Sequence, residues 1–171
     1  MPASILVGFA TQYGSTQEVA ETIAEILRKE GLEVDFQPLR KVKSLEGYQA
    51  VVLGAPLYMF RWSNDAHHFL SHFRAVLTGL PVAIFALGPF HNKEDEMQSA
   101  RTTLTKELAK YPWLAPVDIE MFAGKFDPNA LRFPYSLIGP LKKMPASDER
   151  DWEAIRAWAG GLAEKLRVNQ A

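Results

Sequence analysis

At 171 residues and 47 % hydrophobic content, the chain is the size of one domain and can bury a core without staples. Its 19 basic residues against 20 acidic ones give no general electrostatic reason for a nucleic-acid or anionic-membrane partner. Cysteine is absent, which excludes disulfides, thiolate catalysis and thiolate-bound zinc, so redox chemistry would have to come from a cofactor.

The start, Met1-Pro2-Ala3-Ser4, has no basic region, and no uninterrupted apolar run approaches bilayer length. A cytoplasmic, non-spanning protein with one domain over 1–171 is expected. The first predicted strand, Ile5 to Ala10, is continuously apolar, as a strand covered on both faces must be. A hydroxyl-rich loop follows, and Thr16 is placed to cap a helix with the apolar stripe Val19, Ala20, Ile23, Ile26 and Leu27, ended by Gly31. The second strand, Glu33 to Leu39, alternates apolar and polar and holds Pro38, which only an edge tolerates. The third, Ala50 to Ala55, is apolar again. A helix capped by Ser63 or Asn64 turns Phe69, Leu70, Phe73, Val76 and Leu77 inward and ends at Gly79. The apolar fourth strand is Val82 to Leu87, then a helix from about Glu94 to Lys110 faces Met97, Ala100, Leu104 and Leu108 inward. The fifth strand, Val117 to Ala123, alternates as an edge strand does, and the last helix spans about Asp148 to Leu166. Between them lies an extended connection, Gly124 to Ala146, carrying Pro128, Pro134, Pro140 and Pro145.

Strands alternating with helices predict an α/β three-layer sandwich around a parallel sheet. Two half-polar strands outermost and three apolar ones inside fit the doubly wound order 2-1-3-4-5, whose ligands bind beyond the carboxyl ends of the central strands. At that place stands Thr11-Gln12-Tyr13-Gly14-Ser15-Thr16, where hydroxyls and free amides at a helix start can converge on a phosphate. The loop has neither the lysine of a triphosphate-binding P-loop nor the G-x-G-x-x-G of a dinucleotide site, and neutral donors suit the phosphate of FMN. Equally, Thr11, Ser15 and Thr16 suit a turn and a helix cap with no ligand.

This loop, followed by Glu18-Val19-Ala20, resembles the flavodoxin signature, and the likeness extends to Gly54-Ala55-Pro56-Leu57-Tyr58 and to the region after the fourth strand, weakening beyond Gly124. The resemblance implies a flavodoxin-like fold and one non-covalently bound FMN whose phosphate lies in Thr11 to Thr16. Response-regulator receivers share the strand order but require acidic residues where Thr11-Gln12 stands and an aspartate where Gly54-Ala55 stands.

The same resemblance assigns the flavin ring to two loops. In Pro56-Leu57-Tyr58-Met59-Phe60-Arg61-Trp62, Tyr58 matches the stacking aromatic, while Phe60 and Trp62 suit stacking and core packing equally. In Leu87-Gly88-Pro89-Phe90-His91, backbone groups would read the ring edge, with Gly88 allowing close approach. Two departures from flavodoxins stand out. Met59 occupies the position where Gly or Asn lets a peptide flip toward the one-electron-reduced flavin, and Arg61, His91 and Lys93 replace the family's acidic surround, a bias toward two-electron chemistry at a moderate potential, while Arg61 and His91 suit solvated loop positions equally.

His67, His68 and His72 give an i, i+4 pair without a third ligand and read as solvated helix residues rather than a metal site. Trp113, Trp152 and Trp158 read as core. Residues 131–143 interleave apolar side chains with Arg132, Lys142 and Lys143, a mixture suited to a partner, to peripheral membrane contact, or to folding back over the core. This tail, the near-neutral charge and Asp151-Trp152 resemble the flavodoxin-like, menaquinone-dependent protoporphyrinogen oxidases. That implies an oxidoreductase taking electrons from a small organic substrate to a quinone or similar acceptor; the alternatives are an electron shuttle between redox partner proteins and a scaffold without flavin. Hydride removal by a flavin requires no protein acid or base, so no catalytic residue is named.

Overall fold

The computed structural model describes residues 4–168 apart from 12, 59, 90–91, 127, 129–136, 138 and 144–145. Five parallel strands form its sheet: β1 (Ser4–Phe9), β2 (Glu33–Pro38), β3 (Ala50–Tyr58), β5 (Val82–Leu87) and β6 (Asp118–Phe122), in the order β2-β1-β3-β5-β6. This is the predicted 2-1-3-4-5 arrangement with one addition. A short strand β4 (Arg61–Trp62) folds back on β3 as an antiparallel hairpin, pairing Leu57 with Trp62 and Tyr58 with Arg61. β3 therefore runs to Tyr58, three residues past the expected Ala55, because β4 and the Pro56–Leu87 pairing with β5 keep its backbone engaged.

Successive side chains leave a strand on opposite faces, so the inner strands feed two cores. Ile5, Val7, Val52 and Phe85 meet α1 (Ser15–Lys29) and α6 (Trp152–Val168) on one face. Leu6, Val51, Leu53 and Ile84 meet α2 (Asn64–His72) and α4 (Glu94–Leu108) on the other. β2 and β6 sit at the edges, where Pro38 pairs with Phe9 without interrupting a ladder on its far side.

Three predicted helices end differently from their sequence signals. The second breaks at Phe73 (φ −101°, ψ 17°) into α2 and a short α3 (Arg74–Leu77), which turns Val76 outward to 44 % exposure instead of into the core. The third stops at Leu108. The last starts at Trp152 rather than Asp148, because Ser147–Asp148 forms a strand, β8, against β7 (Lys125–Phe126). The extended connection is thus closed at its base by an antiparallel pair, Lys125 with Asp148 and Phe126 with Ser147, and carries a short helix α5 (Gly139–Lys143). Most of the stretch that suited partner or membrane contact, 131–136 and 138, lies outside the described residues. Among the described residues no helix is long and apolar enough to cross a membrane.

Candidate functional site

β1 delivers the chain to its carboxyl end at Ala10, where Thr11 accepts a hydrogen bond from the Gly14 amide at 2.8 Å through Oγ1. Gly14 holds φ at 92°, a left-handed conformation that a side chain would resist, and it forms the N-cap of α1. The helix begins at Ser15, so Thr16 is inside the first turn and does not cap it, as its position before the apolar stripe suggested. That shift has a chemical result. The amides of Ser15, Thr16 and Gln17 have no helical acceptor, and the Thr16 hydroxyl, on a residue only 1 % exposed, has no hydrogen-bond partner among the described residues. A buried hydroxyl with no partner beside orphan amides at the positive end of a helix is what a phosphate oxygen would satisfy, so the residues present fit the FMN phosphate. Gln12 lies outside the described residues.

The hairpin of β3 and β4 stands next to this loop. Tyr13 and Tyr58, both half-buried, meet edge to face at 5.9 Å between ring centres, joining the loop before α1 to the hairpin. Pro56 is buried and Leu57 packs partly on the core. Phe60 projects from the tip, 81 % exposed, with φ at 61°. Arg61 is exposed opposite Tyr58, and Met59 lies outside the described residues. Trp62 departs from the stacking role weighed for it: its ring is 2 % exposed in the core, and Nε1 donates to the Ala55 carbonyl at 3.3 Å, which leaves no ring face for a ligand.

Beyond β5 the chain is tightly held. Leu87 is buried in the ladder, the Gly88 amide donates to the Phe122 carbonyl at 2.9 Å, and the Pro89 carbonyl accepts from the Gly124 amide at 2.8 Å. These two groups already bind the neighbouring strand end. A Cβ on Gly88 would come within 2.8 Å of Met121 Sδ, so protein packing already demands the glycine. Phe90 and His91 lie outside the described residues.

The structure adds groups that the sequence reading missed. Arg150, with its side chain 3 % exposed, reaches the first turn of α1 from the far end of the chain: Nη1 donates to Glu18 Oε2 at 2.9 Å and to the Ser15 carbonyl at 3.3 Å. Its other nitrogens, Nε and Nη2, bind the two Asp148 oxygens at 2.8 and 2.7 Å, and the guanidinium covers the Trp152 ring at 4.8 Å. These hydrogen bonds hold the Asp148 carboxyl below its usual range. No local pattern points to Arg150, since its partner Glu18 lies 132 positions away.

His67 is no solvated helix residue. Its Nε2 lies 2.6 Å from Glu107 Oε2 and its Nδ1 meets the Tyr111 hydroxyl, while Glu107 also accepts from the Trp62 amide at 3.2 Å and from Lys110 Nζ at 2.9 Å. Burial alone would raise the Glu107 carboxyl, but the hydrogen bonds from Lys110, His67 and Trp62 bring it below its ordinary value. The cluster anchors β4 to α2 and α4. A groove of about 460 Å³ also opens beside Thr11 and Gln17 toward Pro38, Arg40, Lys41 and Asp65.

The sequence profile of the flavodoxin domain matches residues 6–145. The chain is 23 % identical to the protoporphyrinogen IX dehydrogenase [quinone] of Escherichia coli K12 over 174 aligned positions, covering 92 % of this chain and 93 % of that protein. Among solved structures, a short-chain flavodoxin associated with a non-canonical PDU bacterial microcompartment superposes with a TM-score of 0.64 at 14 % identity, over 99 % of both chains. Oxidised flavodoxin 1 of Bacillus cereus superposes at 0.60 and 16 % identity, over 97 % of this chain and 98 % of its own. With a match that runs from the first strand into the extended connection, the chain belongs to the flavodoxin domain family and is an FMN-binding redox protein.

Proposed function

We propose that the protein is an FMN oxidoreductase that draws electrons from an organic substrate of the protoporphyrinogen kind and passes them to a quinone, working in the cytoplasm. The observation that carries this reading is the extent of the likeness to the Escherichia coli dehydrogenase, which spans nine-tenths of both chains and so includes the connection that follows β6. FMN, when bound, supplies the acceptor for two electrons and returns them to the second substrate. The chain's own residues hold and shield it. Thr11, Gln12, Gly14, Ser15 and Thr16 take the phosphate; Tyr58 stacks on the ring with Tyr13 closing the gap behind it. Pro56, Leu57, Met59 and Phe60 wall one side, and Leu87 to His91 border the other. Arg61, exposed opposite Tyr58, places a cation on the ring side of the hairpin and favours the reduced anion.

The test is anaerobic. Purified protein loaded with FMN is mixed with protoporphyrinogen and a soluble menaquinone, and porphyrin fluorescence and quinone absorbance are followed together. Porphyrin formation that depends on both FMN and quinone is expected. A flavin that reduces and reoxidises, stabilises a one-electron state absorbing at long wavelength and never oxidises the porphyrinogen would instead assign the protein as a shuttle.

A further inference from the structure

We propose that Arg150 is the positioning residue of the phosphate site, and that through it the β7–β8 hairpin and the phosphate loop are coupled. The inference rests on FMN being held at the start of α1. An acidic residue in a first helical turn favours the helix dipole, but Glu18 directly follows the orphan amides of residues 15–17 that would meet a phosphate dianion, and there its charge opposes the ligand. Arg150 answers this twice. Its Nη1 pairs Glu18 at 2.9 Å, and the same nitrogen braces the Ser15 carbonyl at 3.3 Å, fixing the turn whose amides point at the site.

A guanidinium this deeply buried persists only when its charge is paired and its donors are satisfied, and Asp148 of β8 takes the two remaining nitrogens, Nε and Nη2, through two hydrogen bonds. The Glu149 amide then donates to the Gly124 carbonyl at 3.1 Å beside β7, so the arginine ties the base of the extended connection to the phosphate loop in one network. Coupling of this kind is reciprocal: phosphate in the loop must firm the hairpin, and loosening the hairpin must weaken the phosphate site.

The experiment compares FMN with riboflavin, which lacks the phosphate, on the parent, Arg150→Gln, Arg150→Lys and the double variant Arg150→Gln with Glu18→Gln. Affinities come from quenching of flavin fluorescence, and hydrogen exchange of the Glu149 region is measured with each ligand. Arg150→Gln is expected to lose roughly ten-fold or more in FMN affinity while riboflavin shifts by less than about two-fold, as for loss of a charge-assisted contact that acts only on the anion. The double variant, with the repelling charge removed as well, should recover part of the FMN preference. FMN, and not riboflavin, should slow exchange at Glu149 in the parent.

Equal losses for both ligands, or an unchanged FMN preference in Arg150→Gln, would overturn the proposal. If Arg150→Gln does not fold, Arg150→Lys decides, since it keeps the charge but not the fork: a selective fall in FMN affinity upholds the role, and no fall refutes it. A parent that binds both flavins equally would sink the phosphate assignment itself, an outcome distinct from a parent that prefers FMN and a variant that keeps the preference.

Discussion

At the scale of single residues, the site carries two local costs. The Thr16 hydroxyl, without a partner among the described residues, is a buried polar group, a defect of about 1–3 kcal/mol. Valine has nearly the same shape and no hydroxyl to satisfy, so Thr16→Val should raise the apoprotein's thermal midpoint while weakening FMN roughly ten- to hundred-fold, the value of a hydrogen bond to a charged group. Melting curves with and without FMN check both signs, and a variant that loses stability and binding together would make Thr16 an ordinary packing residue. Phe60 is the second cost. A left-handed φ of 61° strains a residue with a Cβ by about 1–2 kcal/mol, and the ring, being 81 % exposed, gains little from packing in return. Phe60→Gly removes the strain and returns part of the gain as entropy to the unfolded chain, for a net stabilisation of about 0.5–1 kcal/mol. Denaturation of the apoprotein measures it; a lower midpoint would mean that the ring makes contacts in solution worth more than the strain.

At the scale of elements, the hairpin was the least legible part of the site, and the reason is visible in the same residue. A tight turn usually declares itself by Gly or Asn where φ is positive, and here Phe60 stands there, so Arg61–Trp62 read as loop and Trp62 as a ring suited equally to the flavin and to the core. What holds β4 in place is distant in sequence: Glu107 from α4 accepts its backbone amide and binds His67 from α2. The Glu107 carboxyl is depressed below its ordinary value, so the folded state binds its proton less readily than the unfolded chain does. The stability it contributes is therefore fully present above the unfolded value near about 4.3 and is lost as pH falls through the lower folded value. Glu107→Gln should destabilise the protein most at neutral pH, with the two melting curves converging below about pH 4. Midpoints measured from pH 3 to 7 test this, and a constant gap between parent and variant would show that the carboxylate's charge plays no part.

At the scale of the whole molecule, sheet order was readable because burial on two faces and on one face leave different residue patterns: Ile5 to Phe9 and Val82 to Leu87 against Glu33 to Pro38. The loop that opens α1 was readable because its signals, hydroxyls and a glycine just before an apolar stripe, are local. The base of the extended connection was not, since Phe126 and Ser147 lie far apart in sequence and neither two-residue strand has a periodicity to detect. Their pairing supplies a clean dissection. Directly opposed antiparallel residues are close enough for a two-residue turn to join them, so residues 127–146 can be replaced by Asn-Gly without moving β7, β8 or Arg150. The shortened protein should fold and keep FMN affinity within a factor of about three, as expected for a change that leaves the ligand contacts in place. If the connection is what separates this chain from a small electron carrier, porphyrinogen oxidation should fall to background while reduction of the flavin by dithionite proceeds as in the parent. Stopped-flow turnover beside reductive titration reads both quantities on one preparation. Retained turnover would move substrate recognition off the connection and onto the surface around Tyr58, Phe60 and the groove beside Thr11, where Arg40 and Lys41 supply the cations an anionic substrate would need.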